Sequence, residues 1–250
     1  MLHSTPLIVA HRGSSGAAPE NTLAAFQQAI DDGADMIELD VRMTKDFELV
    51  VLHDRNVRRT TNGRGNIWDL TLADIHWLDA GAWFNKKFAG EHIPTLRQVF
   101  DLLPPHLKLN IEVKTDGEHR RRLAFEESLI LLIRERHFVQ RVLVSSFDHR
   151  FLHRFHNLDP EIPIGALYSP VRDIAKKPSA IARRIGATAF ISSIAQLQKR
   201  FAENAHANNI TLGCYGVNTK KQFEKAMKFG VEIIITDHPR EMRRWLDAGN

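Results

Sequence analysis

Nine short apolar runs are spread along the whole chain, and stretches with helical spacing separate most of them. The runs fall at residues 7–10, 36–41, 49–52, 107–113, 142–144, 164–167, 187–191, 211–215 and 231–235. Runs of this length read as strands, and intervening helices imply parallel pairing through crossover connections. One link is too short for that: between Val41 and Glu48 no crossover helix fits, so 36–41 and 49–52 must form a hairpin. Without this return strand, eight strands alternate with helices, the pattern of an α/β (β/α)8 barrel, or TIM barrel, for which 250 residues is a usual length. A doubly wound open sheet is the alternative arrangement.

The helical stretches carry their own punctuation. Asn21 is placed to cap the first helix, Leu23, Phe26, Gln27 and Ile30 follow at helical spacing, and Gly33 suits the stop. Similar patterns predict helices over 95–103, 118–136, 172–185, 197–208 and 220–229. Residues 55–93 break the alternation with Thr60-Thr61-Asn62-Gly63 and three of the four tryptophans, Trp68, Trp77 and Trp83. They are expected to form a small inserted subdomain within one domain spanning 1–250. Thr71 can cap a short helix whose Leu72, Ile75 and Leu78 face inward. Most of the aromatics are then expected in a local core, with Trp83 and Phe84 at the rim.

Charge and cysteine content narrow the function classes. Thirty-four Lys and Arg against 30 Asp and Glu give a formal charge of +4, which favours anionic small molecules over nucleic acid. The densest basic run, Arg120-Arg121-Arg122, shares its predicted helix with Glu118, Glu126 and Glu127 and reads as a solvated face. The opening apolar run is too short for a signal peptide or a membrane span, so no stable membrane insertion is expected. The single cysteine, Cys214, excludes an internal disulfide and reads as a small buried hydrophobe; a cytoplasmic location is the expectation. The oligomeric state is left open.

Four segments end an apolar run in ionisable residues: His11-Arg12-Gly13, Glu38-Leu39-Asp40, His53-Asp54 and Glu112-Val113-Lys114. Strand alternation puts Glu38 and Asp40 on one face, and likewise Glu112 and Lys114. In barrel enzymes the carboxyl ends of strands carry the reactive groups. Three carboxylates about 4 Å apart would repel by roughly 4 kcal/mol per pair at an effective dielectric near 20. Arg12 and Lys114 can each offset one charge, and an all-oxygen set suits one divalent cation, Mg²⁺ or Ca²⁺. The competing reading, ion-paired carboxylates on exposed strands, fits poorly with barrel strands buried on both faces. His11 and His53 end strands beside these acids and can exchange protons near neutral pH, as an acid and base pair. Other histidines, such as His119, His149 and His153 on predicted helices, read as surface residues. The fork of Arg12 and the point charge of Lys114 complete a site for one phosphoryl group, and a phosphodiester fits it. Serine-elbow, Walker-loop and dinucleotide glycine motifs are absent from the sequence. Asp237, ahead of Pro239 and a final helix, reads as a helix cap.

Eight motifs now stand in order: His11-Arg12-Gly13, Pro19-Glu20-Asn21-Thr22, Ile37-Glu38-Leu39-Asp40-Val41, His53-Asp54, Arg59-Thr60-Thr61-Asn62-Gly63, Ile93-Pro94-Thr95-Leu96, Asn110-Ile111-Glu112-Val113-Lys114 and Ile235-Thr236-Asp237. Together they resemble the glycerophosphodiester phosphodiesterase family, in its cytoplasmic bacterial type, over nearly the whole chain. The resemblance implies a barrel with a small insertion and hydrolysis of small-molecule glycerophosphodiesters, such as glycerophosphocholine, to sn-glycerol 3-phosphate and an alcohol. It further implies Glu38, Asp40 and Glu112 as metal ligands, His11 and His53 as acid and base in an order left open, and Arg12 and Lys114 as phosphate contacts. In the implied route the glycerol 2-hydroxyl attacks phosphorus, the alcohol leaves, and water opens the cyclic phosphate. One departure stands near the end, where Tyr215-Gly216 replaces the family's frequent Trp-Thr; Tyr215 and Trp83 are the expected substrate contacts beyond the core motifs. Glu232-Ile233, where Asp-Gly is common, is expected to affect only packing. Two alternatives are a lysophospholipase D type activity, which needs an apolar trough near Trp83 and Phe84, and a silent barrel that only binds phosphorylated ligands.

Overall fold

The computed structural model describes residues 5–115 and 122–248. Its strands are β1 (Leu7–His11), β2 (Met36–Met43), β3 (Leu49–Val51), β4 (Lys108–Val113), β5 (Val142–Ser146), β6 (Ile164–Leu167), β7 (Ala189–Ser193), β8 (Thr211–Tyr215) and β9 (Ile233–Thr236). All but β3 pair in parallel in the order β1-β9-β8-β7-β6-β5-β4-β2, and β1 pairs with β2 to close the ring. β3 returns antiparallel along β2, as the short link requires. The helices are α1 (Leu23–Asp31), α2 (Leu72–Ile75), α3 (Leu96–Leu102), α4 (Arg122–Glu135), α5 (His149–Leu158), α6 (Pro178–Ile185), α7 (Lys199–His206), α8 (Lys220–Lys228) and α9 (Pro239–Asp247). With α2 set aside in the insertion, one helix follows each barrel strand. The fold is therefore a closed TIM barrel, and the β1–β2 pairing excludes the open sheet.

The two faces of each strand bury different cores. Ile8, Ala10, Ile37, Leu39, Ile111 and Val113 point outward into a large layer with Phe26, Leu129, Phe151 and Phe155 from the helices. Val9, Met36, Leu143, Leu167, Ala189, Ile191, Ile233 and Ile235 fill the barrel interior. Because side chains alternate, the face that carries Val9 also carries His11, and the face that carries Met36 carries Glu38 and Asp40. The interior is thus apolar low in the barrel and ionisable at the carboxyl ends of the strands.

The insertion has a core of its own: Val57, Ile67, Ile75, Ala80 and Ile93, packed with Val50 and Leu52 of the return segment. Thr71 caps α2 in a reciprocal box with Asp74, and Leu72 and Leu78 pack beside Ile75. The expectation for the tryptophans needs correction. Trp68 packs on this core, but Trp77 lies past the end of the one-turn helix, 78% exposed against the His76 ring.

Two helix starts also differ from expectation. Thr22, not Asn21, caps α1, because Asn21 sits at φ +60° with its side chain turned to Asp40. α6 begins at Pro178 rather than 172, since Asp173 accepts from the Ser169 N–H and the Lys176 ammonium and holds that segment in a turn. Pro178 then sets the first helical φ. Of the helix predicted from 118, the part with Glu118, His119, Arg120 and Arg121 lies outside the described residues. Among the described residues no helix is long and apolar enough to cross a membrane.

Candidate active site

Strand register assembles the acidic cluster. His11 stands across from Glu38 in the β1–β2 pairing, and Asp40 across from Glu112 in the β2–β4 pairing. One carboxylate oxygen from each of Glu38, Asp40 and Glu112 lies within 4.8 Å of the others. Lys114 hydrogen bonds to Glu112 and places its Nζ 3.0 Å from Asp40 Oδ1, while Arg12 Nε lies 3.2 Å from Asp40 Oδ2. Burial acts to raise the Asp40 pKa, yet the Lys114 and Arg12 charges hold it well below the usual carboxylate range. At Glu38 the His11 and Arg12 charges act in the same sense but are outweighed. Glu38 Oε2 accepts the Arg12 backbone N–H at 2.9 Å, and its Oε1 is buried without a hydrogen-bond partner among the described residues. Burial and then the neighbouring Asp40 charge push its pKa upward. Three acids against two cations leave one charge unmatched, and Glu38 Oε1 and Asp40 Oδ1 are buried with no hydrogen-bond partner among the described residues, a deficit that a divalent cation with oxygen ligands fits.

Each histidine is held through Nδ1 by a carboxylate. His11 Nδ1 lies 2.6 Å from Asp237 Oδ1, and His53 Nδ1 lies 2.6 Å from Asp54 Oδ1. A carboxylate accepts, so Nδ1 carries the proton and Nε2 is left for exchange with a ligand. The two rings sit in opposite fields. Burial works to lower the His11 pKa, but the bond to Asp237 and the Glu38 charge outweigh it, and the result is a raised pKa. For His53 burial again lowers the pKa; Asp40 opposes this, but Lys114 and Arg12 add to it, and the pKa ends below 6.5.

Asp237 is not the helix cap expected of it. His238 takes the N-cap position of α9, and the Asp237 carboxylate instead holds His11, the Ser15 hydroxyl at 3.0 Å and the Asn218 amide at 2.6 Å. Its place at the end of β9, on the same rim as the other reactive groups, was the signal. His149 also departs from the surface role expected of it, since its Nε2 donates to the Leu167 carbonyl at 3.0 Å in a half-buried position. His153 is exposed on α5.

The backbone between β1 and α1 explains two of the motifs. Arg12 has φ +55°, a left-handed turn that aims its N–H at Glu38. Gly13 follows at φ +81°, where a Cβ would lie 2.6 Å from the backbone of Ala25 in α1, so only glycine fits. Asn21 donates to Asp40 Oδ2 at 2.8 Å. Glu20 accepts from Arg12 Nη1 at 2.8 Å and from both terminal nitrogens of Arg59 at 2.7 and 2.9 Å. Arg59 Nε reaches Asp54 at 2.5 Å. Alternating charges therefore run from His53 through Asp54, Arg59, Glu20 and Arg12 to Asp40.

A cavity of about 1000 Å³ has His53, Asp54, Glu112 and Lys114 among its walls, whereas His11, Arg12, Glu38 and Asp40 do not line it. Neither Trp83 nor Tyr215 lines it. Trp83 donates its indole N–H to the Ala80 carbonyl and packs edge-on to Phe84. Tyr215 packs edge-on to Phe147, which does line the cavity. Cys214 is fully buried, with its thiol pKa pushed up to about 12 by burial. It takes no part in the cluster.

A family model described as the glycerophosphoryl diester phosphodiesterase family matches residues 11–241. The chain is 42% identical over 237 residues to a glycerophosphodiester phosphodiesterase of Caldanaerobacter subterraneus subsp. tengcongensis, covering 94% of this chain and 96% of that one. It is 35% identical to a glycerophosphodiester phosphodiesterase of Bacillus altitudinis, with 93% and 94% covered. Among solved structures, an Oleispira antarctica phosphodiesterase in complex with the product sn-glycerol-3-phosphate superposes with a TM-score of 0.89 at 27% identity, covering 97% of each chain.

Proposed function

This chain belongs to the glycerophosphoryl diester phosphodiesterase family, and on that premise we propose that it hydrolyses soluble glycerophosphodiesters to sn-glycerol 3-phosphate and an alcohol, using one divalent cation, Mg²⁺ or Ca²⁺, and two histidines. The observation that carries this reading is the pairing of His11 with Asp237 and His53 with Asp54 beside the Glu38, Asp40 and Glu112 cluster, His11 feeling the Glu38 charge and His53 that of Asp40. Glu38, Asp40 and Glu112 are the cation's ligands, and when bound it draws charge from a phosphoryl oxygen as a Lewis acid. Arg12 and Lys114 supply further positive charge beside the same oxygens. Residues 55–93 form an insertion in one catalytic domain. The location is cytoplasmic, in keeping with a lone, buried thiol.

The opposite shifts of the histidines support a division of roles. A ring whose pKa is lowered gives up its proton more readily and suits a base, whereas one whose pKa is raised holds its proton more firmly and suits an acid. His53 therefore takes the proton of the glycerol 2-hydroxyl as its oxygen attacks phosphorus, and His11 protonates the oxygen of the departing alcohol. In the second step His11, now neutral, takes a proton from water as water opens the cyclic phosphate. His53 returns its proton to the 2-hydroxyl.

The test is to incubate the protein with glycerophosphocholine and Mg²⁺, Ca²⁺ or a chelator, and to measure glycerol 3-phosphate with a coupled dehydrogenase. Product with a cation and none with chelator is expected; no product at saturating cation and substrate would leave a barrel that only binds phosphorylated ligands. The lysophospholipase D alternative calls for an apolar trough, but Trp83 and Phe84 do not line the cavity and its walls are mainly charged.

Asp237→Asn tests the role of the His11 partner. Loss of the carboxylate should move the upper, descending limb of the kcat/KM profile to lower pH, because its hydrogen bond to the ring is the largest influence that raises the His11 pKa. The rate at pH 8 should fall by about tenfold or more, since an amide can also hold the wrong tautomer. An unchanged upper limb would remove Asp237 from the mechanism.

A further inference from the structure

The cavity that contains His53, Glu112 and Lys114 carries more positive charge than one phosphodiester needs. Arg55, Arg150, Arg172, Lys176 and Arg184 also line it. They come from separate elements: Arg55 follows the His53-Asp54 pair, Arg150 opens α5, Arg172 and Lys176 lie between β6 and α6, and Arg184 lies within α6. The acidic groups on the same walls are already engaged. Asp54 holds His53 and Arg59, Glu112 holds Lys114, Asp148 caps α5 and accepts from Thr115, and Asp173 holds Lys176 and the Ser169 N–H. Arg55, Arg150, Arg172 and Arg184 pair with no carboxylate among the described residues. A concave wall with this imbalance concentrates anions and focuses their approach.

A glycerophosphodiester has three parts that this charge could serve. The scissile phosphate carries a single negative charge, which the reading above gives to Arg12, Lys114 and the cation. The glycerol carries none. A second anionic group must then belong to the alcohol that leaves. We propose that this enzyme prefers glycerophosphodiesters whose leaving alcohol bears a phosphate monoester, and that Arg55, Arg150, Arg172 and Arg184 bind that group. The proposal rests on the phosphodiesterase reading above and deepens it by naming the substrate class. A cationic alcohol such as choline is the disfavoured case.

The experiment compares a matched pair, glycerophosphoinositol 4-phosphate and glycerophosphoinositol, with the wild-type enzyme and with Arg150→Gln/Arg172→Gln. The wild type should cleave the phosphorylated diester with at least tenfold higher kcat/KM, mostly through KM, and this advantage should shrink as salt rises from 0.01 to 0.15 M and the Debye length falls from roughly 30 to 8 Å. The double variant should lose the advantage while its kcat/KM on glycerophosphoinositol changes less than twofold. Equal kcat/KM for the two diesters, or an advantage that survives in the variant, overturns the proposal. Calorimetry with myo-inositol 4-phosphate reads the same pocket without turnover, and its Kd should be at least tenfold lower for the wild type than for the variant. Arginine-dependent binding without cleavage of either diester would refute the phosphodiesterase reading and leave the anion pocket standing. Equal cleavage of both diesters, with equal Kd values, would do the reverse.

Discussion

Glu38→Gln should make the cation-free protein more heat-stable while abolishing both cation binding and turnover. In the wild type, Glu38 is buried beside Asp40 with one oxygen unpartnered, and burial and the Asp40 charge both raise its pKa. A carboxyl whose folded pKa exceeds its unfolded value favours the folded state at low pH, and that contribution is lost as pH rises through the folded pKa. At pH 8 an ionised Glu38 therefore destabilises the cation-free fold, and a neutral amide of the same shape removes the cost. A gain of about 1 kcal/mol, or roughly 2–4 °C in Tm for a chain of this size, is expected. The bound cation acts oppositely. At a concentration 100 times its Kd it should stabilise the wild type by about 2.7 kcal/mol, and the variant by close to nothing. Melting curves at pH 8 with and without Mg²⁺ or Ca²⁺, together with calorimetric titration, measure both effects. A variant with the wild-type cation shift would exclude Glu38 from the ligand set.

His11→Ala should lower kcat by about 10²–10⁴, the usual contribution of one positioned acid or base, with the fold intact. Ser15 and Asn218 still donate to Asp237 after the imidazole is gone, so the buried carboxylate is not orphaned. The pH profile separates this from a general loss of structure. In the wild type, kcat/KM should rise as His53 loses its proton below pH 6.5 and fall as His11 loses its proton above pH 6.5. The variant should keep the rising limb and lose the descending one. A rate within tenfold of the wild type, or a profile with both limbs in place, would remove His11 from the proton path.

The barrel was legible because its signals are local and repetitive. Alternating apolar residues set which face of β2 carries Glu38 and Asp40, and the short link to β3 forces a hairpin. The acidic cluster was legible for the same reason, since residues two apart on a strand share a face whatever the register. What the sequence does not display is the partner a polar side chain chooses. Asp237 and Asn21 both stand beside helix starts, where capping is the common use of such residues. His11 and Asp40, more than two hundred and nearly twenty positions away, claim them instead. The start of α6 was misplaced because Asp173 spends its carboxylate on a turn, a choice that helical periodicity does not reveal. Trp77 was expected inside because the length of α2, a single turn, is not evident from its pattern.

The Arg59–Glu20 bond joins residues 39 positions apart, one in the insertion and one in the loop that opens the barrel. Residues 55–93 consequently cannot be exchanged between homologous enzymes as a self-contained cassette. A chimera that imports a different residue at 59 would leave Glu20 with Arg12 as its partner and Asp54 with His53 as its partner, so any grafted insertion has to bring its matching β1–α1 loop.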